Sequence, residues 1–292
     1  MNIYIIPIEE KFRPKKQRFK YPAHNKDYGV EQDFYKYLLK NKHLIVSDPK
    51  NADWHYLPIF WTRWHLNHNY GKEGLNELQE EISKKILDEN KTFLICQYDD
   101  GPVVNTGKAI QFLASRKSDI GIDIPLLSSK LKKPLFPINK KYLASFIGRI
   151  ITNKIREEMG EEISKRNDIF MFDGNMGSRF FIKNTMRSYI SLAPRGYGGS
   201  SFRLFESMQL GVVPLLIGDL DTRPFKKFID WGKISLYQNN TKNLNSLLDN
   251  LRKENLLEMG TESKEIYKNE LGYQKWCKYV LKELENLKKY EK

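Results

Sequence analysis

Residues 188–219 read SYISLAPRGYGGSSFRLFESMQLGVVPLLIGD. They divide into strand, glycine-rich loop, helix and strand. Residues 188–193 are a short β-prone run. Pro194-Arg195-Gly196-Tyr197-Gly198-Gly199 cannot continue regular structure and must turn. Ser200 or Ser201 then caps a helix over residues 202–210. Gly211 ends it, and residues 212–217 form a buried strand. A loop of Gly and Ser opening a helix after a strand offers backbone N–H groups and a positive helix end, which suits a phosphate. Arg195 and Arg203 flank the loop. Glu206 lies one turn into the helix, on the side of Arg203.

The same alternation extends in both directions. Upstream, residues 2–8, 43–47, 54–60 and 92–97 read as strands, 110–113 continues the domain, and 122–125 is a short strand or extended piece. Helices are expected over 28–40 and over 75–90, where Leu78, Ile82 and Ile86 share one face. Residues 9–27 are polar and form a long loop. The charged, proline-bearing segment 129–141 reads as an interdomain linker. Beyond it, strands at 142–147, 168–172 and 234–237 alternate with helices at 150–165, 179–188, 224–231 and 241–252. Residues 264–290 close the chain as one or two long helices. Alternating strands and helices imply parallel sheets covered on both faces. The fold class is therefore α/β, with two Rossmann-like lobes facing a cleft and a C-terminal helical tail. The lobes are assigned to residues 1–135 and 136–270, and the tail, packing back on the N-terminal lobe, to 271–292.

Composition narrows the function classes. The chain has 292 residues, enough for two domains, and its 40% hydrophobic content is that of a folded protein. No run of apolar residues is long enough to span a membrane. The opening MNIYIIPIEEKF reads as a first strand rather than a signal peptide. Cys96 and Cys277 sit in apolar segments and suggest neither a disulfide framework nor a metal site. A cytoplasmic location is expected, with peripheral contact to a membrane as an extension of it. The net charge of +13 is spread along the chain rather than gathered in one arm. It reads first as a lysine-rich bias, second as attraction to an anionic substrate or membrane surface, and last as nucleic-acid binding. No nucleic-acid partner is expected.

The central motif resembles the signature of exostosin-like glycosyltransferases. That family carries Pro-Arg-Gly, a Gly-rich loop, Ser-x-Arg-Leu-Phe-Glu-Ala and a Gly/Cys-Val-Pro-Val strand. The counterparts are Pro194-Arg195-Gly196, Gly198-Gly199-Ser200-Ser201, Arg203-Leu204-Phe205-Glu206 and Gly211-Val212-Val213-Pro214. Four weaker matches follow the family order: Tyr4-Ile5-Ile6-Pro7; Asn51-Ala52-Asp53-Trp54-His55-Tyr56-Leu57-Pro58; Ser145-Phe146-Ile147-Gly148; and Pro224-Phe225 with Ile229-Asp230-Trp231. The resemblance implies a GT-B architecture, a nucleotide-sugar donor (most often a UDP-sugar) on the C-terminal lobe, and a glycan acceptor on the N-terminal lobe. It implies inversion of the anomeric centre and no metal or other cofactor. Asp219-Leu220-Asp221 is read as a coincidental Asp-x-Asp.

Roles follow from chemistry and resemblance together. Gly198, Gly199, Ser200 and Ser201 would hold the donor diphosphate. Arg195 and Arg203 would neutralise charge growing on the leaving nucleotide, against the plainer reading of a tight turn with surface arginines. Arg156, and less well Arg149, would make a second phosphate contact. Glu206 would accept hydrogen bonds from both ribose hydroxyls, unless it simply pairs with Arg203. Inversion needs a general base from the N-terminal lobe. In the family a His-Asp pair falls where Tyr98-Asp99-Asp100-Gly101 stands here, so Asp99 or Asp100 is the candidate. A turn or helix cap is the bland alternative. His55, His65 and His68 are further candidates, and His65 with His68 shows no third zinc ligand. Trp61 and Trp64 would either stack on acceptor sugars or pack in the core. The expected reaction is transfer of a sugar from a UDP-sugar to a hydroxyl of a glycan, lipid-linked or on a glycoprotein. The alternative is a sugar-nucleotide- or polyanion-binding protein with a decayed catalytic lobe.

Overall fold

The computed structural model describes residues 1–17, 29–132, 134 and 137–290. Contacts divide the chain into two units: Met1–Pro125 with Tyr273–Lys292, and Leu126–Gly272.

In the first unit the chain runs β1 (Ile3–Ile5), α1 (Val30–Lys40), β2 (Ile45–Val46), β3 (Trp54–Leu57), α2 (Trp61–Asn67), α3 (Leu75–Lys85), β4 (Thr92–Cys96), β5 (Ile110–Leu113) and β6 (Ile122–Asp123). All six strands are parallel, in the order β2-β1-β3-β4-β5-β6. α1 buries Val30, Phe34 and Leu38, spaced four apart, and α3 buries Leu78 and Ile82. β3 and β4 are buried at every position, as a parallel sheet covered on both faces requires. β1 stops short of the expected residues 2–8, because Pro7 has no N–H to continue the ladder. One further bond, Ile6 N to the Tyr56 carbonyl at 2.9 Å, carries the pairing past its end.

The second unit contains β7 (Tyr142–Gly148), α4 (Lys154–Ile163), β8 (Ile169–Asp173), α5 (Gly177–Met186), β9 (Ser188–Pro194), α6 (Phe202–Leu210), β10 (Val213–Ile217), β11 (Leu236–Gln238), α7 (Leu244–Asp249) and α8 (Lys253–Ile266). Its five parallel strands lie in the order β11-β10-β9-β7-β8. Both sheets therefore start in the middle, place the second strand on one side and the third on the other. Each has a topological switch point, between β1 and β3 and between β7 and β9, and ligands of open α/β sheets bind at the carboxyl ends of such strands.

Two helices differ from the sequence expectation, and one further helix had none. Residues 224–231 form turns rather than a helix: Phe225 has φ +57°, and the Trp231 indole N–H donates to the Pro224 carbonyl at 2.7 Å. α8 begins at Lys253, well before residue 264, and is separated from α9 (Cys277–Tyr290) by a π turn, Gly272 and Gln274 at φ +66°. Residues 61–67, rich in aromatics, are helical. The junction before α9 is held within the first unit by the buried Asp33 of α1, whose carboxylate accepts from Gln274 N at 2.7 Å and from the Trp276 indole at 2.9 Å. Among the described residues, no helix is long and apolar enough to cross a membrane.

Candidate active site

In the second unit the loop after β9 lies at the switch point, beside the end of β7. Arg195 N extends the ladder to the Ile217 carbonyl at 2.8 Å, and Gly196 N closes the loop on the Ser200 carbonyl at 3.0 Å. Asn153, the N-cap of α4, donates to the Gly196 carbonyl at 3.0 Å, and Thr222 donates to that of Gly199 at 3.3 Å. Ser200 and Ser201 are buried. Ser201 occupies the N-cap position of α6 with extended backbone, but its side chain makes no capping bond. The capping bond expected of a serine is thus not made by Ser201. At the other end Gly211 adopts φ +73°, the left-handed geometry that glycine supplies without strain.

Three arginines converge on this loop. Arg195 donates from Nε to the Gly198 carbonyl at 3.1 Å and pairs with the exposed carboxylate of Asp219. Arg203, in the first turn of α6, reaches back to the Ile147 carbonyl of β7 at 2.8 Å and stacks 4.2 Å from the Phe181 ring centroid. It also pairs with Glu206, which is 1% exposed. Arg156 of α4 donates to the carbonyls of Arg195 (2.9 Å), Arg149 (3.0 Å) and Pro194 (3.3 Å). It fastens together the chain leaving β7 and the chain leaving β9. Arg149 itself is exposed. The structure therefore gathers Arg156, Arg195, Gly198, Gly199, Ser200, Ser201, Arg203 and Glu206 around one strand end. The guanidinium groups are used on carbonyls and carboxylates.

The Asp-x-Asp at 219–221 is divided between two partners. Asp219 goes to Arg195, while Asp221 is gripped by Arg223 at 2.8 and 2.9 Å, with Lys226 at 3.5 Å. Burial alone would raise the Asp221 carboxyl, but Arg223 and Lys226 hold it below its usual range. Among the described residues no cluster of three or more His, Cys, Asp or Glu side chains could hold a metal.

In the first unit, Asp99 and Asp100 follow β4 in a turn closed by Gly101 N on the Tyr98 carbonyl at 3.0 Å. Asp100 is exposed and pairs with Lys117. Tyr98 donates its hydroxyl to the Tyr70 carbonyl at 2.9 Å. Burial first, then the Asp100 and Asp99 carboxylates, push its phenol up to about 12. His65 is fully buried, 4.8 Å from the Tyr98 ring; burial pushes it down to about 4, against the Pro102 carbonyl, which favours the cation. Its first role is therefore as a neutral core group. His68 stacks on Trp64 at 3.9 Å with Nδ1 2.7 Å from the Trp64 carbonyl, and His55 packs against Tyr4 with Nε2 3.2 Å from the Pro49 carbonyl. Trp61 and Trp64 are buried in the core and have no face for a sugar.

One buried carboxylate escaped the sequence reading. Glu31, in the first turn of α1, sits where the chain leaves the switch point of the first sheet. It accepts from Thr62 N at 3.1 Å, the Thr62 hydroxyl at 2.8 Å and Gln97 N at 2.9 Å. It thereby ties the starts of α1 and α2 to the end of β4, one residue before Tyr98. Burial raises its carboxyl to about 7, although those bonds pull the other way. The only local signal is three successive polar residues, Glu31-Gln32-Asp33, on a helix start whose neighbours are apolar; all three are buried.

A parallel sheet whose third strand opens through a Gly-Ser loop into a helix, with arginines at the strand ends, defines a Rossmann-like α/β unit. Residues 98–251 match the exostosin GT47 domain, and the chain belongs to that family. Over 111 residues it is 29% identical to a probable glucuronosyltransferase of Oryza sativa subsp. japonica, covering 37% of this chain and 26% of that protein; it spans about a quarter of that relative. Among solved structures it is similar to AviGT4, a glycosyltransferase involved in avilamycin A biosynthesis (9% identity, TM-score 0.42, covering 98% of this chain and 97% of that one). It is also similar to a mutant of S. aureus TarM in complex with fondaparinux, α-GlcNAc-glycerol and UDP (13% identity, TM-score 0.42, 73% and 59% coverage).

Proposed function

We propose that the chain is a glycosyltransferase that moves a sugar from a UDP-sugar to a hydroxyl of a glycan, with inversion and without a metal. The observation that carries this reading is the cradle at the end of β9: backbone of residues 198–201, an α6 terminus that Ser201 does not cap, and Arg195 and Arg203 on either side, within the segment matched to the family. Inversion is a single displacement. A base on the first unit takes the acceptor proton, the hydroxyl oxygen attacks the anomeric carbon, and the sugar–phosphate bond breaks. The charge left on the diphosphate is stabilised by the arginines and the helix end, groups that cost little reorganisation when fixed in advance. Arg195 would exchange Asp219, and Arg203 would share Glu206, for the phosphates and ribose of the donor. Asp99 or Asp100 is the proposed base and the GT-B arrangement the proposed frame. An acceptor on a glycoprotein or a lipid carrier fits the reading, as does a cytoplasmic enzyme that touches a membrane peripherally.

The test is a panel of UDP- and GDP-sugars scored by thermal shift and donor hydrolysis. A ligand at a hundred times its Kd raises stability by about 2.7 kcal/mol. Shifts with UDP-sugars and slow hydrolysis are expected. Shifts with GDP-sugars alone would overturn the donor class. A UDP shift without hydrolysis or transfer would favour a binding protein.

A further inference from the structure

We infer that Glu31 is a positioning residue for the acceptor side of the reaction: its buried carboxylate fixes the turn that carries Asp99 by holding the main chain at Gln97, without touching substrate itself. This rests on the transferase reading with Asp99 as the base.

Three elements meet at this carboxylate. Glu31 lies in the first turn of α1 and accepts from Gln97 N at 2.9 Å. In return Val30 N donates to the side-chain oxygen of Gln97 at 3.1 Å, so successive residues of α1 clasp Gln97 by its main chain and by its side chain. The Gln97 side-chain nitrogen is buried and has no hydrogen-bond partner among the described residues, so that end of the amide adds no second anchor. The ladders of β4 end at Cys96, and Gln97 N takes the Glu31 carboxylate in place of a strand carbonyl. Thr62 N and the Thr62 hydroxyl bond the same carboxylate at 3.1 and 2.8 Å, which joins the first turn of α2 to it.

Asp99 lies directly beyond this clasp. Tyr98 follows Gln97, and its hydroxyl donates to the Tyr70 carbonyl at 2.9 Å. Gly101 N closes the turn on the Tyr98 carbonyl at 3.0 Å, and Lys117 pairs with Asp100. The backbone of Asp99 therefore runs from the point that Glu31 fixes into a closed turn. A base works only within hydrogen-bond reach of the proton it takes, and a misplacement of about 1 Å can lower a rate by about 10²-fold.

Stability does not explain why a carboxylate stands here. Charge taken out of water is costly. Burial pushes this carboxyl up to about 7 in spite of its hydrogen bonds, so the ionised acid is disfavoured in the native state. The apolar stripe of α1 is already supplied by Val30, Phe34 and Leu38. What a carboxylate adds is two acceptor oxygens that serve several donors at once, and here they tie two helix starts to one strand exit. Groups that break a local rule of stability gather at functional sites, and this one adjoins the turn of the proposed base.

The test is a mutant cycle on the whole chain, read by hydrolysis of the UDP- and GDP-sugars of the panel and by amide hydrogen exchange of the free protein. Glu31→Leu removes the acceptor. It should lower kcat at least about tenfold with the donor KM within about twofold, and residues 97–101 should exchange faster. Glu31→Gln, whose amide oxygen still accepts from Gln97 N and Thr62, should stay within about threefold of wild type in kcat and match its exchange. Ile82→Ala, a core truncation in α3 of the same unit, supplies the control for lost stability and should keep kcat within about threefold. In an Asp99→Asn background Glu31→Leu should lower kcat by less than about twofold further, because it acts through that residue. If Glu31→Leu does not fold, Glu31→Asp, one methylene too short to join both elements, carries the same expectations. A kcat loss no larger than that of Ile82→Ala, full additivity with Asp99→Asn, or unchanged exchange over residues 97–101 overturns the inference and leaves the transferase reading standing. A wild-type rate for Asp99→Asn alone overturns the inference through its base. No hydrolysis of any panel donor by wild type overturns the transferase reading and the inference with it.

Discussion

Arg156 Nε donates to the carbonyl of Arg195 at 2.9 Å, across thirty-nine residues of sequence. The guanidinium expected to meet a phosphate instead spans two strand ends. Its planar fork satisfies three carbonyls, a geometry that an ammonium cannot copy. Arg156→Lys keeps the charge and loses the fork. It should cost about 2 kcal/mol of stability, measured by urea unfolding, because hydrogen bonds from charged donors are the stronger kind. UDP affinity should fall with it, since the loop that Arg156 holds is the proposed donor cradle. Wild-type stability with lost affinity would mean that Arg156 serves the ligand and not the loop.

Arg203 and Glu206 form the second test. Glu206 is buried and its partner nearly so, so removing either leaves a charge with poor solvation. Glu206→Gln should destabilise by about 2–3 kcal/mol, less than for a fully dry pair because Arg203 retains the Ile147 carbonyl and the Phe181 face. In a double-mutant cycle with Arg203→Ala the effects should fall short of additive. Ribose recognition would show separately, as a larger loss for UDP than for inorganic pyrophosphate.

Much of this site was legible because its signals are local. Ser201 and Gly211 bracket α6 at the residues expected, and the apolar run of β10 follows at once. The parallel two-sheet fold came from the same kind of evidence, strand after helix. What was hidden depends on distant partners. Arg156 looks like any helical arginine until Pro194 and Arg195 arrive beside it. Glu31 looks like a solvated first-turn acid until Thr62 and Gln97 cover it. Residues 224–231 have apolar spacing suited to a helix, yet the positive φ of Phe225 and the Trp231–Pro224 bond select turns. Trp61 and Trp64 read equally well as platform or core, and burial decides for core.

Glu31 should leave a pH signature. Its folded value, about 7, lies above the ordinary 4.5, so the native state prefers the protonated acid. Its stabilising contribution is complete below pH 4.5 and is lost as pH rises through 7, by about 3 kcal/mol for a shift of this size. Glu31→Gln cannot ionise. The difference in unfolding free energy between variant and wild type should therefore move in favour of the variant between pH 4.5 and 7.5. A pH-independent difference would place the carboxylate in ordinary ionisation.

His65 has the opposite sign. Burial holds its imidazole near 4, below the ordinary 6.5, so the native state prefers the neutral ring. Stability from this group is present above pH 6.5 and lost as pH falls toward 4, again by about 3 kcal/mol. His65→Phe should flatten the acid limb of the stability profile. The turn carrying Asp99 rests on that ring through Tyr98, so donor hydrolysis should fall in wild type over the same pH range and less so in the variant.

Asp99 and Asp100 are distinguished by their neighbours. Asp100 is exposed and its carboxylate is engaged by Lys117. Asp99 is only half-exposed and lies next to Tyr98. Asp99→Asn should therefore lower transfer to a glycan by about 10²–10⁴-fold, the usual worth of a general base, with the UDP-sugar thermal shift unchanged. Asp100→Asn should lower it by less than tenfold. Addition of EDTA should change neither rate, because the leaving diphosphate is assigned to Arg195, Arg203 and the α6 terminus. If Asp99→Asn and Asp100→Asn both turn over at the wild-type rate, the base lies elsewhere. Glu31, held at the switch point of the same sheet, would then be the next carboxylate to replace.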